Sequence, residues 1–421
     1  MSFLRSLLRL LPNPVRECLL SYYHLFLSLV GALWYGFPSR KLIVIGVTGT
    51  KGKSSTAELI RAILIEAHKK VAIVGTIRFA IGNKEERNLF KMTMPGRFFI
   101  QAFLARAVRA GCTHVIVEVT SEGARQFRHR GLSMDALVFT NLSPEHIESH
   151  GSFEKYAEAK LSIAKHLSRS KKRPRVFVAN TDDAYGEKFL SLPAEVRRPF
   201  TLKDVVIEKL SAEGSLFTYK GVHFSLRIPG TFNIHNALGA IEVCDAFGVP
   251  FSTSAVALSK VPRIPGRAER IQMGQSFEVV VDYAHTPESL RAIYEAFPSR
   301  RICVLGNTGG GRDSWKRPVM GGVADTYCAV AYLTDEDSYD EKLEDILGAM
   351  EKGFSKITPT LITDRREAIA RALREAKVGD AVIITGKGTD PYIMGPKGTK
   401  VPWSDKEVAQ EELAKVLGAR A

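Results

Sequence analysis

The stretch KLIVIGVTGTKGKSSTAELI, Lys41 to Ile60, joins a run of β-branched residues to a glycine-rich turn and then to a helical pattern without a break. That succession constrains the fold severely. A buried strand has to end where the turn begins, and glycines at Gly46, Gly49 and Gly52 leave backbone N–H groups free to face one point. The helix that follows adds its positive end at the same place. Such a turn is built to hold an anion, and phosphate above all.

The loop Gly46 to Ser54 resembles the Walker A pattern with one residue added. On that pattern Lys53 reaches the terminal phosphates of a nucleotide and the Ser54 hydroxyl meets Mg²⁺, while Gly49, Thr50, Gly52 and Ser55 complete the cradle. A nucleotide turn alone names no reaction, so the surrounding residues matter. Glu118 ends the strand in VIVEVTSEG, where a carboxylate would hold a metal beside the phosphates. TNLSPEHIESHG follows another strand end with His146 and His150, and YAEAK puts Lys160 one helical turn after Tyr156.

The rest of the chain repeats the strand-and-helix alternation of a parallel α/β sheet. Thr113 to Val119, Ala136 to Asn141 and Arg175 to Asn180 read as buried strands, with helices over Ser55 to Ala67 and Phe98 to Ala110. VVIEKLSAEGSLFTYKGVHFSLRIPG alternates apolar and polar residues around glycine turns, the signature of a small antiparallel β insert. A second α/β series begins near Phe277 with FEVVVDYA, RICVLGN, CAVAYLTD and DAVIITGKG. Open α/β sheets bind ligands at the carboxyl ends of their strands, so two α/β domains facing across a cleft are expected. The domain expectation is an apolar helical segment over 1–40, a P-loop ATPase domain over 41–265 and a Rossmann-like domain over 266–421.

Composition agrees with a globular chain of that size. The 421 residues are 45% hydrophobic, and a net charge of +14 favours an anionic partner. Without a long Lys/Arg tract or an aromatic-basic motif, nucleic acid is not the expected partner. Five scattered cysteines support neither a disulfide framework nor a zinc site, and a cytoplasmic setting follows. From Cys18 to Ser39 no charged residue occurs, with Arg5, Arg9 and Arg16 before it. The polar residues inside that run favour a helix lying on the inner face of the membrane, or one packed against the body of the protein, over a true span.

Several longer motifs occur together and in one order: the Gly46 to Ser54 turn, EVTSEG, TNLSPEHIESHG, YAEAK, FNIHNA, PGRAE, DYAHTP, GGGRDSWKRPVMG and GKG. In these the chain resembles the Mur ligase family, of the UDP-N-acetylmuramoyl-tripeptide synthetase type, from about Lys41 to the C-terminus. The resemblance implies an ATP-dependent ligase that adds an amino acid to a peptidoglycan-precursor peptide through an acyl phosphate. It implies ATP with two Mg²⁺ ions as cofactors, Lys53, Glu118, His146 and Lys160 as catalytic or metal-binding groups, and carbamylation of Lys160. Asn233, Asn236, Arg267, Asp282 and His285 match nucleotide contacts. Thr93, Ser121, Arg312, Lys316, Arg317, Asp337 and Asp390 match substrate positions, with Arg317 on the carboxylate of the incoming amino acid. An anionic sugar-peptide acceptor and an amino acid are the implied partners.

Two departures are legible. Only about 40 residues precede the ATPase domain, where the family usually has a UDP-binding domain, so the acceptor is expected to be recognised differently. Where enzymes choosing diaminopimelate read Asp-Asn-Pro-Arg, this chain has TDEDSYDE with Tyr339 in place of the arginine. Diaminopimelate is therefore disfavoured. The acidic residues either attract a cationic side chain such as lysine or form a solvated helix start. The alternatives are a ligase of folylpolyglutamate or cyanophycin synthetase type, and a non-catalytic membrane-associated binding protein on a ligase fold.

Overall fold

In the computed structural model, which describes residues 13–420, the opening strand β1 (Ile43–Thr48) lies inside an eight-stranded sheet. Its companions are β2 (Val71–Val74), β3 (Arg78–Ile81), β4 (Lys84–Arg87), β5 (His114–Glu118), β6 (Ala136–Phe139), β7 (Val176–Asn180) and β8 (Val196–Phe200). The order is β4-β3-β2-β5-β1-β6-β7-β8. All strands from β2 to β8 in that order run parallel, and β3 and β4 extend one edge antiparallel. The interior strands are buried along almost their whole length, as a parallel sheet covered on both faces requires. Register sets the ends: Val47 pairs with Glu118 and Thr48 with Phe139, so the carboxyl ends of β5, β1 and β6 finish level with one another. The expected helices are present as Lys53–Glu66 and Arg97–Arg109.

The chain forms two compact units that interleave in sequence. The first takes residues up to Leu142, Glu154–Thr201 and Leu238–Pro250, and the second Ser143–Phe153, Leu202–Ala237 and everything from Phe251 on. In the second unit β9 (Val205–Ser211), β10 (Gly214–Tyr219) and β11 (Val222–Leu226) make the three-stranded antiparallel insert that alternation predicts. A six-stranded sheet follows, in the order β12 (Glu269–Arg270), β13 (Glu278–Val281), β17 (Ala381–Ile384), β14 (Arg301–Leu305), β15 (Val330–Leu333) and β16 (Thr360–Leu361). Only β12 is antiparallel to its neighbour.

Side-chain alternation gives this sheet two separate cores. Val280, Cys303, Leu305 and Ile383 face Leu290, Tyr294, Met320 and Leu347 on one side. Val279, Val281, Ile302, Val304, Val382 and Ile384 face Ile369, Leu373, Val408 and Leu413 on the other. Each face carries helices, and the result is a doubly wound layer structure.

Two sequence expectations are affected here. Cys303 and Cys328 form a disulfide, which corrects the reading that the scattered cysteines support no disulfide. The pair is invisible to spacing because it depends on β14 lying beside the segment that leads into β15. The N-terminal apolar run forms the helix Asn13–Trp34, seated on the first unit through Ser28, Gly31 and Ala32. Among the described residues no helix is long and apolar enough to cross a membrane. Arg5 and Arg9 of the expected N-terminal segment lie outside the described residues.

Candidate functional site

In the first unit the phosphate turn sits at the end of β1. Gly49 has a φ of 148°, and a Cβ there would stand 1.9 Å from the Thr140 hydroxyl, so the position requires glycine. The turn is braced from β6: the Thr140 hydroxyl donates to the Lys51 carbonyl at 2.6 Å, Asn141 Oδ1 accepts from the Lys51 N–H at 2.9 Å, and the Asn141 carbonyl accepts from the Thr50 N–H at 2.8 Å. Thr50 and Tyr156 share a hydroxyl hydrogen bond of 3.0 Å. The helix Lys53–Glu66 starts at the turn, with Ser54 and Ser55 buried in its first residues.

Two cations converge on this turn. Lys53 Nζ donates to the carbonyls of Gly49 and Thr50 at 2.8 Å each, and Lys160 Nζ donates to the Gly49 carbonyl at 2.7 Å. Lys160 is almost wholly buried, 4.8 Å from the centre of the Tyr156 ring. A turn of N–H groups flanked by two ammonium groups suits a polyanion. Beside it, Ser54 Oγ donates to Glu118 Oε2 at 2.8 Å. A hydroxyl and a carboxylate at the edge of a phosphate cradle are the hard oxygen donors that Mg²⁺ takes together with substrate phosphates. Among the described residues no group of three or more His, Cys, Asp or Glu side chains gathers into a complete metal cage.

Glu118 also faces the neighbouring strand end. The Thr76 N–H donates to Glu118 Oε1 at 2.7 Å and the Thr76 hydroxyl to Oε2 at 3.0 Å. That hydroxyl shares a 2.9 Å hydrogen bond with Thr93. One polar line thus joins Ser54, Glu118, Thr76 and Thr93. Thr76 was not among the residues singled out from sequence, because its role depends on β2 lying beside β5, which no local pattern announces. Ser121 is buried at the start of the short helix Ser121–Arg125, where Thr120 accepts from the Gly123 N–H.

The second unit holds the other candidates. Asn233 is buried and donates to the Pro229 carbonyl at 2.7 Å, and Asn236 donates to Asn233 Oδ1 at 3.1 Å. Arg267 lies 4.6 Å from the centre of the Tyr283 ring. Asp282 accepts from the N–H groups of Ala268 and Ala284 at 2.6 Å each, fixing the segment that carries Arg267 to the DYAHTP strand end. His285 Nε2 lies 2.8 Å from Glu145 Oε1. His146 adopts a left-handed backbone, and its N–H donates to Asp313 Oδ2 at 3.0 Å.

Around the end of β15 the charges are paired. Arg317 grips Glu341 with two nitrogens, at 2.6 and 2.9 Å, and those hydrogen bonds hold the Glu341 carboxyl below its ordinary value. The guanidinium fork is therefore filled by an internal carboxylate, which an incoming one would have to displace. Arg312 lies 5.0 Å from the Tyr339 ring centre, and Lys316 is buried. Asp337 bonds Lys387 at 2.9 Å, and Asp390 stands 3.5 Å from the same ammonium. Burial alone would lower the Lys387 pKa, but Asp390 and Asp337 more than offset it and the group titrates above its ordinary value. The acidic stretch thus carries an internal cation, and its pull on a basic side chain is smaller than the sequence suggests.

Comparison with known proteins finds two consecutive family domains along the chain. The Mur ligase middle domain matches residues 47–244, and the Mur ligase glutamate ligase domain matches residues 266–388. The UDP-N-acetylmuramoyl-L-alanyl-D-glutamate--2,6-diaminopimelate ligase of Caldanaerobacter subterraneus subsp. tengcongensis is 35% identical, across 91% of this chain and 81% of that protein. The UDP-N-acetylmuramyl-tripeptide synthetase of a Roseiflexus species is 33% identical, across 93% of this chain and 82% of that one. A solved UDP-N-acetylmuramoyl-L-alanyl-D-glutamate--2,6-diaminopimelate ligase superposes with a TM-score of 0.60 at 28% identity, over 89% of this chain and 78% of its own. A Mycobacterium tuberculosis folylpolyglutamate synthase complexed with ADP and AMPPCP gives 0.71 at 18% identity, over 87% and 93%, which is a likeness of fold alone. Two matched domains in order and relatives aligned over most of their length make this chain a member of the Mur ligase family.

Proposed function

We propose that this chain is an ATP- and magnesium-dependent carbon–nitrogen ligase that joins an amino acid to the peptide of an anionic sugar-peptide precursor of peptidoglycan. The observation that carries this reading is the hydrogen-bonded line from Ser54 through Glu118 and Thr76 to Thr93, which connects the phosphate turn to the segment matched to the acceptor. The acceptor carboxylate attacks the γ-phosphorus of ATP and the bond from that phosphorus to ADP breaks. The amine of the amino acid then attacks the acyl carbon, phosphate leaves, and the nitrogen gives up a proton.

The chain's residues mainly bind and orient. Lys53 and the turn from Gly49 to Ser55 hold the phosphates, and Asn233, Asn236, Arg267, Asp282 and His285 serve the rest of the nucleotide. Ser54, Glu118 and His146 would hold magnesium, which when bound would neutralise phosphate charge. Lys160 would join them as a carbamate: the ammonium gives up a proton, the neutral amine adds to carbon dioxide, a second proton leaves, and a cation becomes an anion. Thr93 and Ser121 face the acceptor, and Arg312, Lys316, Arg317, Asp337 and Asp390 the amino acid. The ATP-binding domain spans 41–265 and the C-terminal domain 266–421. The setting is the cytoplasm, with residues 1–40 in peripheral contact with the inner face of the membrane.

Relatives of this chain are named for diaminopimelate, but Tyr339 removes the guanidinium expected to pair with its second carboxylate. We infer an amino acid with a single carboxylate. Phosphate release is to be measured with ATP, Mg²⁺ and UDP-N-acetylmuramoyl dipeptide against a panel of amino acids. Release that needs both acceptor and one amino acid is expected, and release indifferent to both would remove the ligase reading. Thr76→Val should lower turnover by roughly ten- to a hundredfold, the worth of a hydrogen bond to a charged group, with ATP affinity changed little. Unchanged turnover would take Thr76 out of the site.

A further inference from the structure

The helix Asn13–Trp34 is seated the wrong way round for a globular surface. The side chains it buries fully are small, Ser28, Gly31 and Ala32, with Leu20, His24 and Leu27 half-buried beside them. Its outward side carries Leu19, Tyr22, Phe26, Leu29 and Leu33, spaced three and four residues apart on one face, with Tyr23 and Trp34 at its margins. Tyr22 is 68% exposed, Phe26 63%, Leu33 67% and Trp34 77%. A helix that only covered the protein would bury these side chains and expose the small ones. Phe98, which touches Gly31 and is itself exposed, widens the same apolar surface. Patches of this extent mark a partner.

The seat is fixed, so this face is presented rather than left over. A Cβ on Gly131 would lie 2.6 Å from Gln101 Nε2, 3.0 Å from the Ser28 carbonyl oxygen and 3.3 Å from Ala32 Cβ, so a larger residue there would press on the seated helix. Gln101 Nε2 donates to the Gly131 carbonyl at 3.0 Å. At the far end of the helix the Phe37 N–H donates to the Ala32 carbonyl at 2.7 Å, and the Ser133 N–H donates to Ser39 Oγ at 3.1 Å.

Charge selects the partner. The helix has one carboxylate, Glu17, next to Arg16, and none follows before Glu58, whereas Arg40 and Lys41 lie shortly after the helix and are exposed. Arg97 and Arg128 lie close enough to act on His24, whose pKa is lowered by burial first and then by these two cations, with Glu122 opposing them more weakly. In the sequence, residues 1–12 add Arg5 and Arg9 among six leucines and phenylalanines and no carboxylate. Tyrosine and tryptophan beside an apolar stripe are the residues favoured where lipid tails meet headgroups. A second copy of the chain would bring the same positive rim against itself, which is unfavourable for a self-complementary contact.

We propose that the outward face of the helix Asn13–Trp34 docks on an anionic lipid bilayer surface, lying in the plane of the membrane. This deepens the proposed membrane contact and is independent of the ligase chemistry, so vesicle binding and turnover fail separately.

The test is flotation of the full chain with phosphatidylglycerol-containing vesicles and with pure phosphatidylcholine vesicles. The protein is expected to float with the anionic vesicles and at least about tenfold less with the neutral ones. The double change Phe26→Glu and Leu33→Glu, both exposed, should abolish flotation while leaving circular dichroism and ATP turnover intact. Val378→Glu, on the exposed surface of the second unit, should not. Failure to float, equal flotation of the double variant, or a dimer in sedimentation that the double change dissolves without altering flotation would each overturn the proposal.

Discussion

Lys160→Ala should lower amide formation by roughly a hundred- to thousandfold, the scale of losing one charged group that acts on the transferred phosphoryl. Lys160 is buried beside the phosphate turn, with its ammonium on the Gly49 carbonyl that Lys53 also uses. As an ammonium it would repel a metal ion there; as a carbamate it would attract one. The alanine variant separates these roles when short carboxylic acids are added. Partial recovery of rate with formate or acetate is expected, because an oxygen anion can enter the vacated volume. Lys160→Arg, which keeps the positive charge and takes no carbamate, should be as poor as alanine. An arginine variant near the parent rate would show that the side chain serves as a cation.

Asp405→Ala should cost about 3 to 5 kcal/mol, the penalty of leaving a buried charge without its partner. Arg365 donates from Nε and Nη2 to the two Asp405 oxygens at 2.7 Å each, and both side chains are wholly buried. Trp403 Nε1 adds a third hydrogen bond to Asp405 at 2.8 Å. Arg365 also holds the carbonyls of Thr385 and Asp335, at 2.7 and 3.1 Å, and so ties the ends of β17 and β15 together beneath the acidic stretch. Losing Asp405 should lower the melting temperature of the second unit by about 6 to 20 °C. It should also raise the KM for the amino acid more than that for ATP. A shift below about 2 °C would mean that the guanidinium finds water or another acceptor at little cost.

What could be read from the sequence, and what could not, follows the range of the interactions. The strand runs, the β9 to β11 insert and the phosphate turn are written in neighbouring residues, through β-branched runs, alternation and glycine spacing. Lys53, Ser54 and Glu118 lie together because each stands at a strand end or in the turn after it, which the register of β5 and β1 brings level, and Lys160 reaches the same turn from the helix Phe153–Ser168. Thr76 escaped notice because β2 reaches Glu118 only through its pairing with β5. The disulfide joins residues 25 apart, on β14 and on the segment leading into β15, and the Arg365 pair residues 40 apart, at the starts of two helices that meet only in the fold. Lys387 was legible as part of a motif, but its pairing with Asp337, which tempers the acidic stretch, was not. The apolar N-terminal run announced a helix, yet which of its faces is seated depended on Gly131, a hundred positions beyond Gly31.

Ligation through an acyl phosphate is most directly tested by tracing an oxygen atom. With the acceptor carboxylate labelled with heavy oxygen, and ATP, Mg²⁺ and the amino acid identified by the panel, the released phosphate should carry one labelled oxygen for each amide formed. Unlabelled phosphate, released at the same rate with or without the amino acid, would mean that ATP is hydrolysed by water and that this chain does not activate a carboxylate.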